Sequence, residues 1–132
     1  MLTGVWKGKH GVSDNSFNGS NFANYPHFFN HLETCNPDLQ SASIVHWGPI
    51  NSQIVDQVDY ALTVSTDLAV QQEAVSYLGA NDPDVLFLHF DDIDAAGHGN
   101  GFSPTVGPYI ATIEQTDVYI GQVITAVENR PN

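Results

Sequence analysis

The residues best suited to chemistry lie in the stretch DDIDAAGHGNG, which covers positions 91–101 and directly follows the apolar run VLFLHF at 85–90. Asp94 and His98 are four residues apart, so one helical turn would bring a carboxylate oxygen and an imidazole nitrogen to the same face, and Gly97 permits a close approach of the backbone. Oxygen and nitrogen ligands together suit zinc, manganese or iron, whereas calcium and magnesium prefer oxygen alone. The spacing therefore predicts a divalent-metal site with Asp94 and His98 as ligands.

Three other structures could contain the same residues. An EF-hand loop requires an oxygen ligand at position 96 and a glutamate near 103, but the chain has Ala96 and Ser103. A dinucleotide-binding loop requires a phosphate-cradling spacing that Gly97, Gly99 and Gly101 do not meet. A capped turn without a metal stays open, because aspartate, glycine and asparagine are ordinary turn-forming residues.

Composition and charge narrow the class of protein. The chain has 132 residues, of which 42% are hydrophobic, and this length predicts one globular domain. With 15 acidic side chains against 3 basic ones, the net charge of -12 repels nucleic acid and anionic membrane surfaces. No run approaches the roughly 20 apolar residues of a membrane span, and the N-terminal stretch lacks the apolar core of a signal peptide. We therefore expect a soluble chain of undetermined compartment that binds no nucleic-acid duplex.

The elements that must position the predicted site alternate between helices and strands. This alternation is typical of an α/β fold, here a three-layer α/β/α sandwich with a mostly parallel sheet, in which sites form outside the carboxyl ends of the strands. The predicted elements are a loop at 11–24, a helix from Tyr25 to the stop at Asn36-Pro37, a strand at 41–47, one or two helical turns at 50–57, an edge strand at 58–64, a helix capped by Asp67 and running to Leu78, a central strand at 85–90, and a helix from Pro108 to Asn129 closed by Arg130-Pro131.

Two motifs, in this order along the chain, carry a resemblance to a known family. The first is the run Thr3-Gly4, His10-Gly11 and Asn15; the second is Asp94-Ala95-Ala96-Gly97-His98-Gly99-Asn100-Gly101, followed by a long helix with Tyr109, Asp117 and Gly121. They are similar to the Thr-Gly, His-Gly, Asn run and the Asp-x-x-Gly-His-x-x-Gly motif of the type I phosphodiesterase/nucleotide pyrophosphatase family of the alkaline phosphatase superfamily. The resemblance spans essentially the whole chain.

The resemblance implies an alkaline-phosphatase-like fold and two metal ions, usually zinc, that cleave a phosphodiester or nucleotide through a covalent phospho-enzyme. Asp94 and His98 match ligands of one ion. Asp91 and Asp92 match none, and we expect them to cap the loop or to orient His98. His10 matches a position near the outer edge of the site, for which structural and substrate-side roles both stay open, and Asn15 is a substrate-side candidate. Family members are often extracytoplasmic.

Several parts of the family's site do not appear in this sequence. The family's nucleophile and an earlier aspartate ligand precede its Thr-Gly run, and its later Asp-His pair and last histidine ligand follow its long helix. We therefore expect an internal segment of a larger hydrolase, with the nucleophile upstream of Met1, negligible activity alone, and exposed sheet edges that favour self-association. The alternative is a non-catalytic acidic module that binds a metal or a partner protein through the same loop. A phosphomutase or a sulfatase ranks lower, because the insertion domain and the modification motif are missing.

The other histidines give weaker predictions. His27 and His31 are four residues apart on the predicted helix and could bind a metal, but no third ligand is evident. His89 is expected to face a helix layer, and His46, near a strand end, carries no prediction.

Overall fold

The computed structural model describes residues 2–130, which fold around a three-stranded parallel sheet. The central strand β1 covers Ser41–Val45, and β2 (Tyr60–Thr63) and β3 (Val85–His89) pair with its two sides. Val45 is in register with the last residue of each neighbour, so all three strands end at the same edge. The predicted α/β fold with a parallel sheet is confirmed, as are the strands near 41–47 and 85–90 and the edge strand near 58–64.

The helices cover both faces of this sheet. None within residues 2–130 is long and apolar enough to cross a membrane. The chain runs in turns where the 11–24 loop was predicted, and Pro131, which was expected to close the last helix, lies outside the described residues. The helices are α1 (Lys7–His10), α2 (Phe28–Cys35), a π-helical turn at Ile50–Ile54, α3 (Asp67–Ala80), α4 (Asp92–Asn100) and α5 (Gly107–Glu128).

Alternate residues of the central strand enter two separate cores. On one face Ile44 packs with Val70, Ala74 and Leu78 of α3 and with Val123 of α5. On the other face Val45 packs with a second cluster, which consists of Phe29 of α2, Ile50 of the π-helical turn, and Val55. Because successive side chains of a strand point to opposite faces, this pattern gives the predicted three layers.

The prediction that 85–90 forms the central strand is wrong. All five residues of β1 are buried, whereas all five of β3 are half-buried, and β3 is an edge strand of the described sheet. An apolar run indicates that both faces of a strand are covered, but it does not indicate whether both edges are hydrogen-bonded to neighbouring strands. The central strand is instead β1, with the sequence SASIV, and its small residues Ser41, Ala42 and Ser43 are buried between two helix layers.

Two helices begin at different residues from those that the sequence predicted, α2 later and α3 one residue earlier. Helix α2 begins at Phe28 rather than Tyr25, because His27 has an extended backbone, with φ −74° and ψ 166°. Helix α3 is capped by Thr66 rather than Asp67: the Thr66 hydroxyl accepts a hydrogen bond from the Ala69 amide at 3.1 Å. Asp67 is therefore the first helical residue, and its carboxylate is free to make contacts outside its own helix.

Candidate metal centre

Three titratable side chains meet at the edge where the parallel strands end. His46 directly follows β1, Asp67 begins α3 after β2, and Asp92 begins α4 after β3. Each offers one ligand atom, and these atoms all lie within 4.8 Å of one another. The structure thus contains a candidate metal-binding triad, at the edge where open parallel sheets place their sites.

Asp67 is the hub of this triad. Its side chain is fully buried, and one oxygen, Oδ1, accepts hydrogen bonds from the Asp91 amide at 2.7 Å and from His46 Nδ1 at 2.9 Å. The other oxygen, Oδ2, accepts one from the Asp92 amide at 3.0 Å. Three donors compensate the burial of the carboxylate. The same bonds tie the start of α4 to the start of α3 and to the end of β1.

The contact with Asp67 fixes the orientation of the His46 ring. Because a carboxylate accepts hydrogen bonds, Nδ1 of His46 is the donor in this pair, and in the neutral ring Nε2 is then the nitrogen with the lone pair. The His46 amide also donates to the backbone oxygen of His89 at 3.1 Å, which joins the ends of β1 and β3. A carboxylate that orients one imidazole nitrogen and leaves the other available is the usual arrangement around metal ligands and general bases.

The environment of Asp92 disfavours the charged form of its carboxyl group. Its side chain is 44% exposed, and Oδ1 lies 3.5 Å from His46 Nδ1. Burial is the main factor that raises the pKa of the Asp92 carboxyl, the negative charge of Asp67 raises it further, and His46 opposes both effects. In the metal-free protein the two carboxylates therefore repel each other.

We predict that Asp92→Asn stabilises the metal-free protein at neutral pH by about 0.5 kcal/mol, a small effect because solvent screens a half-exposed carboxylate. Folding raises the pKa of the Asp92 carboxyl above its ordinary value of 3.8, so the folded state binds the proton more tightly than the unfolded state does. The protonated carboxyl therefore favours folding below pH 3.8, and this contribution is lost as the pH rises through the raised pKa. The advantage of the variant should therefore vanish below pH 3.8. Urea unfolding with chelator across this pH range measures it.

Asp94→Asn is the matched control, because Asp94 also lies in the first turn of α4 but is 66% exposed. A negative charge at a helix start is favourable, so this control should lose a few tenths of a kcal/mol. At Asp92 the repulsion dominates, because the Asp67 carboxylate already accepts from the first amides of α4. A destabilised Asp92→Asn protein at neutral pH would contradict this reasoning.

The two predicted metal ligands, Asp94 and His98, lie on a different side of α4. The stretch after β3 is a nine-residue helix, and it brings Asp94 Oδ2 to 3.5 Å from His98 Nε2. Both side chains are exposed, at 66% and 73%. Two ligands of a tetrahedral zinc ion, each about 2.0–2.1 Å from the metal, lie about 3.4 Å apart. Because residues two apart on a helix do not face each other, Asp94 and Asp92 belong to separate groups.

Gly97, between these two ligands, makes the close approach that its residue type suggested. The ring of Phe102 lies so near that a Cβ at Gly97 would overlap it. Phe102 in turn contacts the His98 ring edge to face, with centroids 5.2 Å apart, and the Tyr109 ring, with centroids 5.6 Å apart. The glycine therefore lets an aromatic side chain from the following loop support the His98 imidazole.

Asp91 and Asp92 do not take the roles that the sequence suggested. Asp91 occupies the N-cap position of α4, but its side chain makes no capping hydrogen bond. Asp92 pairs with His46 rather than with His98, and the carboxylate beside His98 is that of Asp94. The first amides of α4, those of Asp91 and Asp92, instead donate hydrogen bonds to the Asp67 carboxylate of α3.

The remaining sequence-predicted residues lie elsewhere. His10 Nδ1 accepts a hydrogen bond from the Val12 amide at 3.1 Å, and Asn15 is exposed in a turn. His27 and His31 do not form a pair on a helix face, because His27 precedes α2 and is buried, with Nε2 at 2.6 Å from Asp56 Oδ1. His31 is exposed on α2.

His46 and Asp67 were not predicted as site residues, although the sequence contains a signal for both. His46 lies at the end of the strand predicted at 41–47, and Asp67 follows the strand predicted at 58–64 by three residues. The rule that places sites at the carboxyl ends of parallel strands applies to each of them. If the residues at the ends of all three predicted strands are considered, and not only those after the most apolar strand, the rule includes His46, Asp67 and Asp92.

Comparison with known proteins adds no family assignment. No protein-family model matches the chain, and no curated protein matches it. The resemblance of the two motifs to the phosphodiesterase family therefore stays a prediction, and the chemistry has to be argued from the site itself.

Proposed function

We propose that this chain forms the metal-holding part of a metal-dependent phosphoric-ester hydrolase of the phosphodiesterase or nucleotide pyrophosphatase type, with Asp94 and His98 as ligands of one divalent ion. The observation that supports this most directly is the 3.5 Å separation of Asp94 Oδ2 and His98 Nε2 on the exposed side of α4. This separation is close to the value of about 3.4 Å for adjacent ligands of tetrahedral zinc, so little rearrangement is needed on binding. Carboxylate and imidazole together favour zinc over calcium or magnesium.

The negative charge of the protein means that a phosphate group needs a bound metal ion in order to bind at this edge. A surface with a net charge of -12 and several carboxylates at one edge repels a phosphate group. A bound divalent ion reverses the sign of the local potential, polarises a phosphoryl oxygen and lowers the pKa of a bound water or hydroxyl. Asp94 and His98 contribute ligand atoms, and Phe102 keeps the imidazole ring in place.

The triad of His46, Asp67 and Asp92 positions this site rather than holding the ion. The distance of 2.9 Å between His46 Nδ1 and Asp67 Oδ1 is that of a hydrogen bond and is shorter than the spacing of about 3.4 Å between tetrahedral ligands. The Asp67 carboxylate also accepts two amide hydrogen bonds at the start of α4. The triad therefore fixes where α4, and with it Asp94 and His98, leaves the sheet.

The second candidate function is a non-catalytic acidic module that binds metal or a partner protein. It is favoured by one observation, the presence of three ligand atoms within 4.8 Å of one another in the triad. In that case the ion would lie between His46, Asp67 and Asp92, and α4 would only cover it. The two proposals therefore differ in which residues the ion needs.

Isothermal titration with zinc and manganese at neutral pH distinguishes them. We expect micromolar zinc binding that weakens at least tenfold in the Asp94→Ala, His98→Ala double variant, because two of four tetrahedral ligands are lost. The matched control is Asp38→Ala, His31→Ala, which removes the same two residue types from exposed positions. Binding that survives the first variant but disappears in His46→Ala would move the ion to the triad and favour the acidic module.

Adenosine 5′-monophosphate tests the phosphoester part of the proposal. We expect it to bind the zinc-loaded protein and not the chelated protein, because only the bound ion reverses the local charge. The double variant at Asp94 and His98 should lose this zinc-dependent binding. Equal affinity with and without zinc would contradict a metal-dependent phosphoester site.

A further inference from the structure

A cavity of about 250 Å³ lies on the face of the sheet opposite the triad. Its side walls are apolar and aromatic, from Val12, Ile50 and Ile54 and from Phe17, Phe22 and Trp47. The Phe17 and Trp47 rings have centroids 6.1 Å apart, and Trp47 and His89 have centroids 6.4 Å apart. Pockets for small molecules usually measure roughly 300–1,000 Å³, so this one is sized for a compact ligand.

Two polar atoms in the cavity wall lack a protein partner. The Thr3 hydroxyl oxygen and His89 Nδ1 are buried and make no hydrogen bond within residues 2–130. Both residues line the cavity. A buried polar group without a partner costs about 1–3 kcal/mol, so native structures rarely keep one without a function. Both atoms lie just behind the cavity surface. A ligand with its own donor and acceptor would satisfy them after a side-chain shift in the wall, a change that is common on binding.

The backbone at Phe17 supports the same interpretation. Phe17 has a φ of 57°, a left-handed conformation that is unfavourable for a residue with a side chain. This conformation places the ring in the cavity wall beside Trp47. Strained backbone in folded proteins is concentrated at ligand sites, where the position of the side chain compensates the strain.

The cavity is separate from the candidate metal centre. Val45, Trp47 and Phe87 pack in the core on the α2 side of the sheet, whereas Ile44 and Leu88 pack in the core on the α3 side. By the alternation of strand residues, Trp47 and His89 face the cavity, and His46 faces Asp67 on the opposite side. Ligand binding in the cavity therefore does not require the metal.

We infer that this cavity is a binding site for a neutral, planar heteroaromatic compound of one or two fused rings. The aromatic walls suit a flat ring system, and the Thr3 hydroxyl and His89 Nδ1 require a donor and an acceptor on its edge. His10 adds a third polar group, because its Nδ1 accepts from Val12 and the neutral ring then carries a proton on Nε2. No aspartate, glutamate, lysine or arginine is among the described residues that line the cavity, so a charged ligand would find no counter-charge.

Fluorescence of Trp47 tests the inference, with benzimidazole as the probe. Trp6 is 90% exposed and does not line the cavity, so Trp6→Phe gives a background in which Trp47 is the only tryptophan and can be excited selectively. Benzimidazole should change this emission saturably, with and without chelator. Indene, which has the same shape without the nitrogen atoms, should bind at least tenfold more weakly, because it cannot satisfy the two polar atoms.

Substitutions at Thr3 separate recognition from folding. Thr3→Val should weaken benzimidazole binding about tenfold. Its melting temperature should stay the same or rise, because an unpaired hydroxyl is removed. Thr3→Ser, which keeps the hydroxyl, should retain affinity within about threefold, and Val12→Trp, which fills the cavity, should abolish binding. Absence of a saturable change, equal binding of indene, or full affinity in Thr3→Val or Val12→Trp would each overturn the inference.

Discussion

Asp67→Ala is expected to lower the free energy of unfolding by about 3–5 kcal/mol, because breaking a buried charged contact leaves its partners unpaired. The side chain is fully buried, and its loss removes the acceptor for His46 Nδ1 and for the Asp91 and Asp92 amides. Domains of this size are stable by only about 5–15 kcal/mol, so the effect takes up a large part of the total. Urea unfolding followed by far-UV circular dichroism measures it.

Asp117→Ala is the matched control, since Asp117 is an exposed helical aspartate on α5. Its effect should stay within about 0.5 kcal/mol, as for most surface substitutions. Asp67→Asn should lie between the two, because the amide keeps one acceptor oxygen but turns a donor towards the second amide. Equal stabilities for the Asp67→Ala and Asp117→Ala proteins would show that the hydrogen bonds of Asp67 do not anchor α4.

Gly11→Ala should be the second severe substitution, with a loss of about 2–3 kcal/mol from a left-handed backbone and a steric overlap together. Gly11 has a φ of 80° and ends α1, where its amide donates to the Lys7 oxygen at 2.8 Å. A Cβ there would overlap the backbone oxygen of Gly19. The loop must then shift, which breaks the hydrogen bond of 2.8 Å from the Asn21 amide to the His10 oxygen.

Gly8→Ala provides the comparison, because Gly8 lies within α1 and a Cβ there meets no heavy atom within 4 Å. Alanine is the better helix former by about 1 kcal/mol, so this protein should be as stable as the parent or more so. Both variants are compared with the parent by the same urea unfolding. A Gly11→Ala protein as stable as Gly8→Ala would mean that the loop accommodates the side chain.

The contrast between these residues shows how much of the candidate site could be predicted. Asp94 and His98 are four residues apart, and the spacing alone brings them together once that segment is helical. The nearby strand end, the parallel α/β fold and the edge position of the strand near 58–64 also follow from local patterns of apolar and turn residues. Each of these predictions depends on contacts within about ten residues of chain.

The triad could not be predicted in this way, because its members are brought together by strand order. Asp67 is 21 residues from His46 and 24 from Asp91 along the chain, and it meets both only because β2 and β3 lie on either side of β1. The apolar run at 85–90 suggested a different order, with that strand at the centre. Hydrophobicity determines which faces of a strand are covered, but pairing between edges is decided by the whole chain.

The sequence by itself therefore determined the fold class and the helical spacing of Asp94 and His98. Only the tertiary structure decided that Asp67 is a buried anchor rather than a helix cap, that Asp92 faces His46, and that Thr3 and His89 border one cavity. The physical reason is the distance along the chain over which each effect acts. Local periodicity depends on residues that are neighbours in sequence, whereas the partners of buried polar groups depend on how distant segments pack together.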